Sequence, residues 1–144
     1  MAALEQIAKQ WYDAFNKKDL KALMALYADD CVNMQPHVPH PIRGKKATEE
    51  DINGFLTAFP DAQLQPTSMV VSGDTVAAEW KFTGTQTGPL AGPMGMMPPS
   101  NKKVSMTGAE FTQHNAQGLI VSERGYFDVA SFMMQLGVMP APQP

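Results

Sequence analysis

The sequence predicts an α+β fold: a cone-shaped, curved mixed or antiparallel sheet packed on three N-terminal helices, enclosing a hydrophobic pocket. Three observations predict it. Apolar residues recur at helical spacing from Leu4 to Phe59. From Leu64 onward they alternate, at the two-residue period of strands. Turn signals at Gly73-Asp74 and Asn115-Ala116-Gln117-Gly118 then join the alternating runs into hairpins. Helices followed by an antiparallel sheet is the segregated α+β order. One sheet curving over helices leaves a hollow between the layers.

The elements follow in order. Leu4, Ile7, Ala8, Trp11, Tyr12, Ala14 and Phe15 mark an amphipathic helix from about Ala3 to Asn16. Asp19 suits the N-cap of a second helix with Leu20, Leu23, Met24 and Tyr27 on one face, ending at Asp29-Asp30. Cys31–Gln35 reads as a short strand. Pro36, Pro39 and Pro41 then impose a loop, because proline fixes φ and lacks a donor. Thr48-Glu49-Glu50-Asp51 reads as the start of a third helix, a capping box with Asp in place of Glu, carried by Ile52, Phe55, Leu56 and Phe59. Leu64–Ser72 is extended. Val76, Ala78, Trp80 and Phe82 alternate with polar or small residues as a strand. Gly84–Asn101 reads as a long loop, a length that is usually functional or disordered. Lys103–Gln113 and Leu119–Phe127 form the last hairpin, and Val129–Leu136 suits a short helix. The 144 residues read as a single domain with a frayed tail at 139–144.

Composition excludes several classes. Hydrophobic residues are 44% of the chain and charged residues 17%, which suits a packed core rather than a disordered tail. The net charge is −3 and no basic run exceeds two residues, so the field that a general nucleic-acid binder needs is missing. No apolar stretch is long enough to span a membrane, and the N-terminus has no signal-peptide core, so a cytoplasmic setting is expected. Cys31 stands alone and is expected to be a small buried hydrophobe. His37, His40 and His114 lack a carboxylate pattern for a metal, so none is expected.

One ordered set of short motifs is informative as a whole: Phe59-Pro60-Asp61, Ser72-Gly73-Asp74, Trp80, Gly84-Thr85, a Gly/Pro-rich loop, Gly118-Leu119-Ile120, Gly125-Tyr126-Phe127-Asp128 and Gln135-Leu136-Gly137. Over roughly Glu5 to Gly137 it resembles the SnoaL-like polyketide cyclases. The resemblance implies the nuclear-transport-factor-two-like cone, a hydrophobic small-molecule ligand, and homodimers formed through the sheet. It also implies aldol-type ring closure by general acid/base chemistry without metal or cofactor. The family's catalytic Asp carries over to Gly125, which has no acid. Its pocket Asn carries over to Asn33, and a polar pair on the penultimate strand to Glu110 and Thr112.

The residues themselves offer candidate carboxylates. Glu110 lies mid-strand in a stretch that should be covered, and burial raises a carboxyl's pKa toward a useful range. A solvated edge strand is the other reading. If the hairpin loop is Asn115–Gly118, Glu110 faces Glu123 and two like charges share one face. If it is Ala116–Gly118, Glu110 faces Arg124 in an ordinary ion pair. Asp128 reads either as an N-cap or as a displaced acid near Gly125. Arg124 either orients an enolate or carboxylate or forms a salt bridge. His40 suits a proton donor if the proline-rich loop covers the pocket mouth; exposed histidines are the alternative, and His114 is expected to be solvated. Tyr12, Trp80, Trp11 and Tyr126 suit a flat ligand, with core packing the rival for the tryptophans. Met94, Met96 and Met97 suit an adaptable lid or an oligomer contact. Three functions stay open: an enzyme acting on a hydrophobic carbonyl compound with Glu110, Glu123 or Asp128 as acid/base, a noncatalytic binding module, and an oligomerisation domain.

Overall fold

A computed structural model of the chain describes residues 2–92 and 95–140. Its elements run α1 (Ala2–Asn16), α2 (Leu20–Met24), β1 (Tyr27–Met34), β2 (Ile42–Arg43), α3 (Lys45–Ala58), β3 (Gln63–Ser72), β4 (Thr75–Thr85), β5 (Leu90–Gly92), β6 (Gly95–Met97), β7 (Lys103–His114), β8 (Ile120–Phe127) and α4 (Val129–Gln135). The main sheet has the order β2-β1-β8-β7-β4-β3. Among the described residues only the β1–β8 pair is parallel. The expected α+β arrangement, a curved and mostly antiparallel sheet with helices against it, is the one observed.

The helices bury the faces that their periodicity marks. Trp11, Tyr12, Ala14 and Phe15 of α1 are in the core. Asn16 then ends α1 by acting as a strand partner: its Nδ2 donates to the Leu64 carbonyl at 2.9 Å and its Oδ1 accepts from Leu64 N at 2.7 Å. Asp19 caps α2, accepting from Ala22 N at 3.0 Å. The core joins residues from α1 through α4. Its aromatic centre is Phe59, which meets Phe55 at 5.0 Å and Phe82 at 5.4 Å between ring centroids.

Four local expectations are corrected. The second helix stops at Met24, and Tyr27 through Asp30 belong to β1. The 20-23-24-27 spacing fits a helix face, but Ile120 N reaches the Leu26 carbonyl at 2.9 Å and β8 claims the chain. The third helix starts at Lys45, not at Thr48. Gly44, at φ 89°, is its N-cap, and Thr48 is a buried interior residue whose Oγ donates to the Gly44 carbonyl at 2.9 Å. Residues 84–101 are not one open loop. They contain the β5–β6 ribbon and are pinned by buried Gln86, whose Nε2 donates to the Gly88 and Pro98 carbonyls, both at 3.0 Å. Within that ribbon Met97 is buried and Met96 exposed, while Met94 lies outside the described residues. Finally, His114 is 4% exposed rather than solvated; its ring meets the Thr112 hydroxyl and the Gly118 carbonyl, each at 2.9 Å. Val138 and Met139 are exposed, and 141–144 lie outside the described residues.

Candidate active site

Three adjacent strands bring the polar residues of the site together. β7 and β8 pair with Glu110 opposite Gly125 and Thr112 opposite Glu123. β1 pairs with β8 so that Asn33 lies beside Glu123. Residues two apart on a strand share a face, so Asn33, Glu123 and Glu110 form a row on the concave side. At the turn the pairing is that of the Ala116–Gly118 alternative, with His114 opposite Ile120, but neither expected partner of Glu110 is the real one. An irregularity between Gln113 and His114 shifts the pairing by one residue beyond the alternative that opposed Glu110 to Arg124. Two such steps restore the parity of the first alternative, so Glu110 and Glu123 still share one face, as diagonal neighbours.

The two carboxyls lie together in the cavity wall, and Glu123 is tied to the helix layer. Trp11 Nε1 donates to the Tyr27 hydroxyl at 2.8 Å, and that hydroxyl donates to Glu123 Oε1 at 2.8 Å. Glu123 and Tyr27 are both buried. Burial, then the negative charge of Glu123, then the hydrogen bond between the two carboxyls, holds the Glu110 pKa well above the usual carboxylate range. Glu110 keeps some surface toward the cavity, although its carboxyl is enclosed. Burial, followed by the charges of Glu110 and Glu123, also pushes the Tyr12 hydroxyl far up; the Tyr27 hydroxyl is raised by burial and the same two carboxyls. Both phenols therefore stay protonated and keep a proton to donate.

A cavity of about 100 Å³ opens onto the pair. Its apolar walls include Trp11, Phe15, Phe55, Trp80, Met106 and Phe127, and its polar lining is Asn33, Gln35, His37, Asp51, Glu110 and Glu123. Gly125 lies in this wall, and a Cβ there would stand 2.2 Å from Gln35 Oε1. The Gln35 amide thus fills the space that a side chain at 125 would occupy. Its Nε2 donates to Asn33 Oδ1 at 2.8 Å.

The expected site residues divide. Glu110, Glu123, Asn33 and Trp80 line the cavity together. Tyr12 lies behind the carboxyl pair, in a second cavity of about 20 Å³ shared with Thr112 and His114. Arg124, next to Glu123 in sequence, falls on the opposite face, its guanidinium 5.7 Å from the Phe111 ring centroid. Asp128 caps α4, accepting from Ser131 N at 3.0 Å. His40 is exposed, and the histidine in the cavity wall is His37. Sequence reasoning missed Tyr27, Gln35 and the His37–Asp51 contact. Tyr27 was masked by its helical spacing, and the other two need the loop after β1 to be folded against α3. Among the described residues no group of three or more potential ligands could hold a metal, and no helix is long and apolar enough to cross a membrane.

Comparison with known proteins places this architecture. A search of curated proteins finds no match to the chain. Among solved structures, AclR, described as a hydroxylase of Streptomyces galilaeus, superposes with a TM-score of 0.82 at 23% identity, over 99% of this chain and 86% of that one. IdmH, assigned as a polyketide cyclase of Streptomyces antibioticus, superposes with a TM-score of 0.75 at 26% identity, over 94% and 99%. SalBIII, an epoxide hydrolase/cyclase-like enzyme of pyran ring formation in the polyether salinomycin, gives 0.75 at 16% identity, over 90% and 94%. The model of the SnoaL-like polyketide cyclases matches residues 5–136, nearly the whole chain. By that match, on a cone that these neighbours share, the chain belongs to the SnoaL-like polyketide cyclase family.

Proposed function

We propose that the protein performs cofactor-free acid/base chemistry, an aldol-type cyclisation or an isomerisation, on a hydrophobic carbonyl compound. The observation that carries this reading is the Glu110–Glu123 pair at the floor of an apolar cavity. Two enclosed carboxyls that share one proton supply an acid and a base in one place. Glu110 gives its proton to the ligand's carbonyl oxygen, and the Glu123 carboxylate takes one from the adjacent carbon. The Tyr27 hydroxyl fixes the orientation of Glu123. Asn33, whose oxygen already accepts from Gln35, has its amide nitrogen left for the ligand oxygen. In this arrangement the acid stands on β7, one strand over from Gly125. A cyclase-like enzyme of pyran ring formation on the same cone is consistent with this chemistry.

The test is exchange of the α-protons of 1-tetralone in deuterated buffer, followed by NMR. Wild type should exceed the buffer rate, and Glu110→Gln and Glu123→Gln should each lose about 100-fold or more of that excess, in the range of general acid/base contributions. Unchanged exchange in Glu110→Gln, Glu123→Gln and Asp128→Asn combined would sink the assignment. A noncatalytic binding module is the second reading. It is favoured by the Gln35 amide, which narrows the cavity over Gly125; ligand binding without any exchange would select it. The same reading takes a hydrophobic small molecule, not nucleic acid, as the ligand, and the cytoplasm as the setting. It also takes a homodimer paired through the sheet's outer face, where Phe111 and Tyr126 are exposed; sedimentation equilibrium checks the pairing.

A further inference from the structure

A second polar group stands in the same cavity, away from the carboxyl pair. His37, in the loop after β1, packs its ring on Phe127 with centroids 6.0 Å apart. Its Nε2 lies 3.6 Å from Asp51 Oδ1 on α3. Its Nδ1 is buried and has no hydrogen-bond partner among the described residues. A carboxylate facing Nε2 favours the proton on that nitrogen. Nδ1 is then a bare acceptor, enclosed and unmet. An unpaired buried acceptor is costly, and native structures rarely keep one without a use.

The sheet fixes how far this acceptor lies from the acid. Glu123, Gly125 and Phe127 follow one another along the inward face of β8 and all line the cavity. Four residues of strand span about 13 Å, and the side chains lean into the space between. That gap suits a ligand of two fused rings, with one oxygen at the carboxyls and another at His37.

We propose that His37, held by Asp51, is a ligand-recognition residue that accepts a hydrogen bond at Nδ1 from a hydroxyl at the far end of the ligand. The ligand class is thereby narrowed to compounds that carry a hydroxyl donor about two ring-widths from the oxygen at the carboxyls. The proposal rests on the reading that this cavity holds a small molecule, but not on its being catalytic. The charged groups around the ring are Asp51 from α3 and, across the cavity, Glu110 from β7 and Glu123 from β8.

Three probes isolate the donor: 1-tetralone, 6-methoxy-1-tetralone and 6-hydroxy-1-tetralone, bound to the full chain and read by calorimetry. The hydroxyl compound should bind about 10-fold tighter than its methoxy twin, the scale of one well-placed hydrogen bond. His37→Phe should erase that preference, and Asp51→Asn should reduce it. Nitrogen-15 NMR of the wild type needs no variant. In the free protein it should show the Nε2–H tautomer of His37, and the Nδ1 resonance should move when the hydroxyl probe binds but not when the methoxy probe does. A preference that survives His37→Phe, or an unmoved Nδ1 resonance, overturns the assignment. Equal binding of the hydroxyl and methoxy probes overturns it and leaves the cavity reading intact, whereas binding of none of the three overturns both. Loss of proton exchange with the preference retained would instead reject the acid/base chemistry alone.

Discussion

Replacing Glu110 by Gln tests the shared proton directly, through stability instead of turnover. The amide has the shape of the protonated carboxyl and keeps a donor for Glu123. What it removes is the group that must be held uncharged. In the unfolded chain Glu110 titrates near its ordinary value, about 4.3. In the folded chain its pKa is raised by burial and by Glu123. Between those two points the folded state holds one more proton than the unfolded state, so stability falls as pH rises, by up to about 1.4 kcal/mol per pH unit. Above the folded value the loss is complete and the curve flattens. Groups remote from the carboxyl pair cancel in the difference. The stability of Glu110→Gln minus that of wild type should therefore be flat below pH ~4, climb at no more than about 1.4 kcal/mol per unit, and then level off. Urea denaturation at half-unit steps from pH 4 to 8.5 measures it. With a urea slope of about 2 kcal/mol/M, each unit of climb moves the midpoint by about 0.7 M. Parallel profiles would mean that Glu110 ionises as an ordinary surface carboxylate, and the two-carboxyl site would fall with that result.

Further substitutions probe the frame around the pair. Tyr27→Phe leaves both Trp11 Nε1–H and the Glu123 carboxylate without their shared partner in the core; it should cost about 2–5 kcal/mol in denaturant unfolding, from two buried groups left unmet. Gly108→Ala puts a methyl 2.4 Å from Trp80 and 2.7 Å from the Tyr126 carbonyl. It should destabilise by about 1–3 kcal/mol through overpacking and shift the tryptophan fluorescence. Gly125→Ala meets only the end of the Gln35 side chain. Its stability cost should stay below about 1 kcal/mol while Gln35 swings away, which the side-chain amide signals of Asn33 and Gln35 report in NMR.

The architecture was legible because its signals are local. The α1 stripe and the β4 alternation each mark the face that the fold buries, and Asp19 and Asp128 cap helices as short-range chemistry dictates. Legibility failed where a distant strand or an irregularity decides. Tyr27 carries a helical spacing, yet pairing with β8 sets its conformation and hands its hydroxyl to Glu123. The partner of Glu110 depended on one irregular step near His114, invisible in a run of strand-forming residues. Parity was more robust than register, so the shared face of Glu110 and Glu123 was readable although their direct opposition was not. His37 and His40 are alike as sequence. Only the placement of Asp51 on α3 and of Phe127 on β8 brings one of them inward.

The strict two-sidedness of β7 and β8 has a consequence for how such a protein can change over time. Glu110, Glu123 and Gly125 look inward, while Phe111, Arg124 and Tyr126 look outward, each a single step away along the backbone. Insertion or deletion of one codon within either strand would exchange the two sets from that point on. Point substitutions are under no such restriction. Descendants are free to rework the solvent side without disturbing the interior, or the reverse, so long as the spacing between the two strands is inherited intact.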